Sequence, residues 1–418
     1  MSVLFVNGLV IDGLGGYRER ADVLIEDSRI GGIGVGLAVG KPAHQVIDLA
    51  GRTLMPGMID CHAHPGGGDY DPGHVDEPIA LMALRTLQAL QTTLLAGVTT
   101  VRNAGVGHFL DVDVRDAINA GIAWGPRVLA CGPIIRPTGG YATGEQLEVG
   151  AGPWAVREAV RTCLKRGVDA IKLLASGAVS QGGEAVDAET FTREEMIAAV
   201  DEARRAGRPT LAHCIGNKGV KHAIAAGIDS VDHGIYLDEE DCAEMARRGT
   251  YLVPSFGPFY YYSVKRIAEA WRCERADPIM QPHRESFQMA LRMGVKIAMG
   301  CDCGAPSRMK NGENPLEYQL MVDNGMLPDQ ALVSGAINAA RLLRLDEQIG
   351  SVEVGKRADL IVVDGNPLDD ISVLQTRVQL VMRDGVIYRP NPHHTPAGRV
   401  AGRASPAGRR RDRGASQR

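Results

Sequence analysis

The segment Met58-Ile-Asp-Cys-His-Ala-His64 decides the fold, because an apolar run ends there in two closely spaced histidines. Longer amphipathic stretches separate many of the apolar runs that follow, for example 78–96, 154–166, 193–206 and 328–343. Repeated strand–helix units of this kind predict an α/β protein, a (β/α)8 TIM barrel with a parallel sheet. The other seven strand-like runs lie at 97–102, 127–131, 168–174, 210–213, 230–233, 251–254 and 295–300.

Both ends of the chain carry short strand-like runs of a different kind, at 2–8, 21–26 and 45–49 and again at 358–364 and 380–388. We expect these runs to pair into one small β-sandwich. The predicted organisation is a sandwich of 1–57 plus 348–390 and a barrel of 58–347. A disordered basic tail follows at 391–418, where 399–418 hold seven arginines and one aspartate.

Six reactive side chains fall at the ends of the predicted barrel strands, where active sites of such barrels lie. In an extended strand, residues i and i+2 point to one face, so His62 and His64 can contact the same metal ion. Four imidazoles, a carboxylate and a lysine together predict a binuclear divalent-metal site. The ordinary alternative for a single one of these histidines is a satisfied core residue. The six are His62, His64, Lys172, His213, His233 and Asp302.

Lys172 is the most unusual of the six, because apolar neighbours surround it and a buried ammonium is costly unless it is paired. One interpretation is a salt bridge to a barrel carboxylate. The favoured one is N6-carboxylation, since two nearby cations repel an ammonium and attract a bridging anion. Asp60 and Asp232, each beside a ligand histidine, are expected to make structural pairs only. Cys301 and Cys303 are expected to face away from Asp302.

The formal net charge of −4 over 418 residues gives no reason to expect nucleic acid or an acidic membrane surface as partner, and contact of the basic tail with an acidic partner is the less favoured alternative to a solvated tail. The eight cysteines form no CxxC motif, and this fits a reducing cytoplasm. No basic start followed by an apolar run is present, so we expect neither secretion nor a membrane span. The expected partners are a small-molecule substrate and further copies of the chain, without nucleic acid or membrane.

The metal-site residues, together with 54–60, 233–240, 294–300 and 350–360, resemble the amidohydrolase superfamily over about residues 1–390. Within it they are similar to Xaa-Pro dipeptidases, arginine/lysine carboxypeptidases, ochratoxin amidases and phenylurea or molinate hydrolases. The resemblance implies two divalent ions, zinc by preference, bridged by carboxylated Lys172 and hydroxide. It implies His62, His64 and Asp302 at one ion and His213 and His233 at the other.

The resemblance also implies roles in substrate binding. Tyr236 matches a tyrosine that contacts the substrate carbonyl or carboxylate. The relatives carry Gly-Gly-His in the third strand–helix loop, and here Tyr141 stands in place of that histidine. Two further candidates follow from their positions in the sequence and not from the resemblance: Arg136, in the same loop, for binding a carboxylate, and His74, in the first loop, as a lining residue.

The expected activity is metal-dependent hydrolysis of a C–N acyl bond, with Asp302 as ligand and general base. A dipeptide or an N-acyl amino acid is the expected substrate. The alternative is a neutral amide, phenylurea or carbamate, as in xenobiotic degradation. A protein that serves as a non-catalytic scaffold is the alternative outside the enzymes. The complete set of six potential metal ligands argues against it.

Overall fold

A computed structural model describes residues 2–37, 43–66, 77–138, 146–180, 185–304 and 309–389. Strands and helices alternate through its middle part, whereas its two ends are mainly strands. The strands are β1 (Ser2–Ile11), β2 (Tyr17–Glu26), β3 (Arg29–Gly34), β4 (Gln45–Asp48), β5 (Thr53–Pro56), β6 (Met58–Ala63), β7 (Val98–Asn103), β8 (Arg127–Leu129), β9 (Ile135–Pro137), β10 (Leu147–Val149), β11 (Ile171–Leu174), β12 (Thr210–Cys214), β13 (Ser230–His233), β14 (Tyr251–Val253), β15 (Lys296–Ile297), β16 (Leu360–Val363), β17 (Val378–Arg383) and β18 (Val386–Arg389).

The helices lie mainly between successive barrel strands. They are α1 (Ile79–Leu95), α2 (Leu110–Asn119), α3 (Pro153–Lys165), α4 (Arg193–Arg205), α5 (Asn217–Ala226), α6 (Glu239–Arg248), α7 (Gly257–Phe259), α8 (Ala270–Ala276), α9 (Met280–Arg292), α10 (Leu316–Asp323), α11 (Pro328–Val333), α12 (Ala339–Leu342) and α13 (Val373–Thr376). Short 3₁₀ segments lie at Gly107–Phe109 and Asp277–Ile279, and π-helical segments at Tyr260–Val264 and Ser334–Asn338.

The eight predicted barrel strands are β6 to β8 and β11 to β15, and neighbours pair in parallel. Backbone hydrogen bonds also join the group β6 to β8 to the group β11 to β15 at both of its edges. Asp169 N donates to Ala130 O at 2.7 Å on one side, and Cys61 N donates to Met299 O at 2.9 Å on the other. The strand ends that carry the predicted ligands therefore meet at one mouth of the barrel, and the fold class is confirmed.

Strands from both ends of the chain share the other sheet, in the order β18-β17-β16-β5-β1-β2-β3 with β4 on β1. The junction is the antiparallel pair of β5 and β16, where Met55 lies opposite Ile361. Buried residues from both ends, such as Phe5 and Leu360, pack in one core cluster of this sheet. The expected pairing of the two ends is confirmed, while the residue boundaries of the domains stay predictions.

Two elements differ from the sequence prediction. The helix expected over 328–343 contains the π-helical segment Ser334–Asn338, where Ser334 Oγ donates to Ala331 O at 2.7 Å and competes with helical bonding. The strand expected over 380–388 is a hairpin, because Asp384 (φ 50°) and Gly385 (φ 78°) form a tight left-handed turn.

In the described part of the chain, no helix combines the length and apolarity needed to cross a bilayer.

Candidate metal centre

All six predicted ligands lie in the wall of one cavity that is open to solvent. The rest of its described wall is mostly apolar. The other described wall residues are Ile134, Leu174, Ala178, Val179, Ser180, Ile215, Pro258, Phe259 and Tyr262. Strand ends that are far apart in the sequence therefore bring six reactive side chains to one apolar pocket.

The first cluster is formed by His62, His64 and Asp302, whose potential ligand atoms all lie within 4.8 Å of one another. Asp302 Oδ1 lies 3.4 Å from His64 Nε2 and 3.7 Å from His62 Nε2. His64 Nδ1 lies 2.9 Å from Gly105 O, and this contact leaves Nε2 facing the cluster. Metal-binding histidines are commonly oriented in this way, by a carbonyl or carboxylate at the other ring nitrogen.

The second cluster joins the first through neighbouring rings. The ring centres of His213 and His233 are 4.6 Å apart, and those of His62 and His233 are 5.1 Å apart. His213 Nε2 lies 3.0 Å from Gly177 O. His233 Nδ1 is buried and has no hydrogen-bond partner among the described residues. A buried polar atom without a partner needs an explanation. A bound metal ion would provide one, because imidazole and carboxylate groups are suitable metal ligands.

Burial also sets the protonation of the second cluster. It lowers the pKa of His213 to about 3, with a further contribution from Lys172. Burial, followed by the neighbouring His213 and His62, lowers the pKa of His233 well below its ordinary value. Both imidazoles are therefore neutral at pH 7, and neutral imidazole is the form that binds metal.

Lys172 is paired with a carboxylate that the sequence analysis treated as ordinary. Its Nζ donates to Asp232 Oδ2 at 2.9 Å, and His62 Nδ1 lies 2.9 Å from the same oxygen. Burial alone would raise the pKa of Asp232, but Lys172 and His62 hold it well below its usual range. The salt bridge considered for an unmodified lysine is thus present. An aspartate directly before a proposed ligand histidine, on a buried strand, was the available signal.

The backbone turns at two of the ligands. His233 has φ 71° and Asp302 has φ 52°, a left-handed conformation that is uncommon for residues other than glycine. In a regular strand, Asp232 and His233 would point to opposite faces. The left-handed conformation redirects His233, so that both can face the site. Strained backbone of this kind clusters at functional sites.

Cys301 and Cys303 face away from Asp302, as expected. Cys301 Sγ donates to Asp60 Oδ2 at 2.8 Å, and Asn314 Nδ2 donates to the same oxygen at 2.8 Å. Asp60 also accepts from the backbone N–H of His62 at 3.0 Å. The thiols therefore belong to a hydrogen-bonded group behind the cavity wall rather than to the ligand clusters.

The residues predicted to bind substrate remain predictions. Arg136 is buried and ion-paired with Glu148, and it is not among the described residues of the cavity wall. Tyr236 is half-buried beside the wall, packed against the cluster that contains Phe259 and Tyr262. His74 and Tyr141 lie outside the described residues.

Two aromatic residues of the wall, Phe259 and Tyr262, were not anticipated. They belong to the aromatic-rich stretch 256–262 that follows β14. Its position after a barrel strand was the signal that could have identified them, because loops after barrel strands build the active site.

Residues 53–388 match the family model described as the amidohydrolase family. Ochratoxinase from Aspergillus niger is 31% identical, over 91% of this chain and 85% of its own length. Imidazolonepropionase from Mesorhizobium japonicum is 27% identical, over 78% of this chain and 81% of its own. A crystal structure of a Xaa-Pro dipeptidase with bound methionine superposes with a TM-score of 0.84 at 33% identity, covering 93% of this chain and 100% of that one.

Proposed function

Because the chain belongs to the amidohydrolase family and is a hydrolase acting on C–N bonds, we propose that it cleaves the amide bond of an apolar N-acyl amino acid or dipeptide with two divalent metal ions. The convergence of six potential ligands in one cavity carries this proposal. His62, His64 and Asp302 would hold one ion, and His213 and His233 the other. Zinc suits imidazole and carboxylate donors.

Lys172 is proposed to be N6-carboxylated by carbon dioxide, with loss of one proton, and the carbamate would help to hold the two ions. Lys172 lines the same cavity as the residues of both clusters. Bound ions would lower the pKa of a water molecule and polarise the scissile carbonyl.

The protein's own groups would supply proton transfer and orientation. Asp302 would take the proton of the attacking water and deliver it to the leaving nitrogen. Tyr236 is proposed to donate a hydrogen bond to the substrate carbonyl. Burial, with a contribution from Asp187, raises the pKa of Tyr236, so its hydroxyl keeps its proton at neutral pH.

The cavity wall supports an apolar substrate group. Ile134, Leu174, Val179 and Phe259 offer apolar surface directly beside the ligands. The names of two relatives, an ochratoxinase and a Xaa-Pro dipeptidase, are consistent with amide cleavage. We therefore place the N-acyl amino acid or dipeptide first.

A neutral amide, phenylurea or carbamate is the second candidate. Within the described part of the wall, Lys172 is the only lysine or arginine, and it is proposed to be a metal ligand, so no cationic side chain is left there for a substrate carboxylate. That observation favours a substrate without a carboxylate.

Matched substrates separate the two candidates. Apolar N-acyl amino acids and proline dipeptides would be assayed beside the same molecules with the carboxylate replaced by methyl, and beside a phenylurea. Faster turnover of the carboxylates supports the first candidate, and faster turnover of the neutral compounds supports the second. Loss of activity on chelation, with recovery on adding zinc, tests metal dependence. Activity that survives complete metal removal would contradict the proposal.

Asp302→Asn tests the proposed base directly. Asparagine keeps an oxygen ligand but cannot accept the proton, so kcat should fall by about 100-fold or more while the metal content stays near that of the wild type. Metal analysis beside steady-state kinetics measures both quantities. Wild-type turnover in the variant would remove Asp302 from the mechanism.

A further inference from the structure

Arg102 lies fully buried inside the barrel on β7, outside the cavity wall. Its Nε donates to Cys61 O at 2.6 Å, and its Nη2 donates to Ser230 Oγ at 3.1 Å. Its Nη2 also lies 3.6 Å from Asp232 Oδ1. Arg102 therefore connects three strands, β6, β7 and β13, below the cavity.

The two oxygens of Asp232 have separate partners. Oδ1 accepts from Ser230 Oγ at 2.9 Å and faces Arg102. Oδ2 lies 2.9 Å from both Lys172 Nζ and His62 Nδ1. One oxygen is thus fixed to the barrel interior, and the other contacts two of the proposed metal ligands.

Stability alone does not account for this arrangement. A buried charge pair seldom stabilises a fold more than apolar side chains of similar volume would. Arg102 also leaves its Nη1 without a hydrogen-bond partner among the described residues, at a cost in desolvation. The guanidinium nevertheless lies beside Asp232 Oδ1 and Ser230 Oγ, on the side of Asp232 away from Lys172 and His62.

We propose that Arg102 and Ser230 are positioning residues for the metal centre. They hold Asp232 so that its Oδ2 stays beside Nδ1 of His62, whose Nε2 faces Asp302, and beside Nζ of Lys172. The inference rests on the proposed function, because it matters only if these side chains bind metal. Groups that orient metal ligands in this way affect metal affinity strongly.

The test compares metal binding by Arg102→Met, Ser230→Ala and a control, Arg127→Met. Arg127 is a largely buried arginine at the start of the adjacent strand β8, ion-paired with Asp359 and Asp384 and absent from the cavity wall. Full-length protein freed of metal would be titrated with Co²⁺ and Zn²⁺, and the visible absorption of bound Co²⁺ recorded. Thermal unfolding of each metal-free variant reports its stability.

We expect Arg102→Met to weaken metal binding by about 10-fold or more and to change the Co²⁺ spectrum. Ser230→Ala should weaken binding about threefold, since one hydrogen bond is lost. Arg127→Met should lower the unfolding temperature but leave metal affinity and spectrum as in the wild type. If Arg102→Met does not fold, Ser230→Ala decides the question.

Unchanged affinity and spectrum in Ser230→Ala and in folded Arg102→Met would overturn the inference, and so would an equal loss of affinity in Arg127→Met. In those cases a wild type that binds two ions leaves the proposed function standing. A wild type that binds no metal overturns the proposed function and this inference together.

Discussion

Gly300 lies where the last barrel strand passes close to the first, and replacing it with alanine tests the geometry of the metal centre. A Cβ built on Gly300 would lie 2.8 Å from His62 N and 2.9 Å from His62 Cβ. It would also lie 2.5 Å from Val253 Cγ1, a side-chain atom that can move more easily than backbone. The unavoidable conflict is therefore with His62, one of the proposed ligands.

The size of the effect follows from these distances. Ordinary van der Waals contact begins near 3.4 Å, so the two strands must separate by about half an ångström. Overpacking of this kind costs about 1–3 kcal/mol in the free energy of unfolding. A displacement of about 1 Å at a reacting group costs about 100-fold in rate, so we expect kcat/KM of Gly300→Ala to fall by about 10-fold or more.

The assay combines urea unfolding, kcat/KM on the best substrate and metal content. Gly150→Ala is the matched control, because a Cβ there meets open space and the backbone is not left-handed. The control should resemble the wild type in all three measurements. Wild-type kcat/KM and metal content in Gly300→Ala would refute the reasoning, because the contact between Gly300 and His62 would then leave room for a methyl group.

Two further predictions concern the pH dependence of the free energy of unfolding and the buried carboxylate of Glu317. Burial lowers the pKa of His213 and of His283 to about 3, so between pH 6.5 and 3 only the unfolded chain binds these protons. The free energy of unfolding of metal-free protein should therefore fall as the pH drops, by about 1.4 kcal/mol per pH unit for each histidine. In His283→Phe that slope should shrink by one such contribution in urea unfolding at several pH values, and an unchanged slope would contradict the assignment. Glu317 accepts from two backbone N–H groups beside Gly257–Phe259, at 2.7 and 2.9 Å, so Glu317→Ala should cost about 2–5 kcal/mol and raise KM more than it lowers kcat. Wild-type stability and KM in that variant would exclude this role.

Several features followed directly from the order of residues. The apolar run predicted at 210–213 is the strand Thr210–Cys214, and the run at 230–233 is the strand Ser230–His233. Each predicted run ends in a histidine, His213 or His233, that lines the cavity. Apolar periodicity and residue type are local properties, so they are visible without a structure.

Other features depend on contacts between distant parts of the chain. Asp232 and Arg102 looked like ordinary strand residues, yet they meet across the barrel beneath the ligands. Arg136 is ion-paired with Glu148 on the neighbouring strand β10, a partner that no local pattern indicated. A sequence gives the types of polar side chain and their approximate positions along a strand, but it does not give the side chain that each of them contacts.

The sequence by itself determined the (β/α)8 barrel and the identity of six potential ligands, because strand period and side-chain chemistry are written in consecutive residues. The tertiary structure alone decided the direction of the His233 and Asp302 side chains. Both residues have a left-handed backbone conformation that no local sequence pattern predicts. It also decided that one oxygen of Asp232 faces His62 and Lys172 while the other is fixed by Ser230. The physical reason is that such contacts form only once closure of the barrel brings separate strands together.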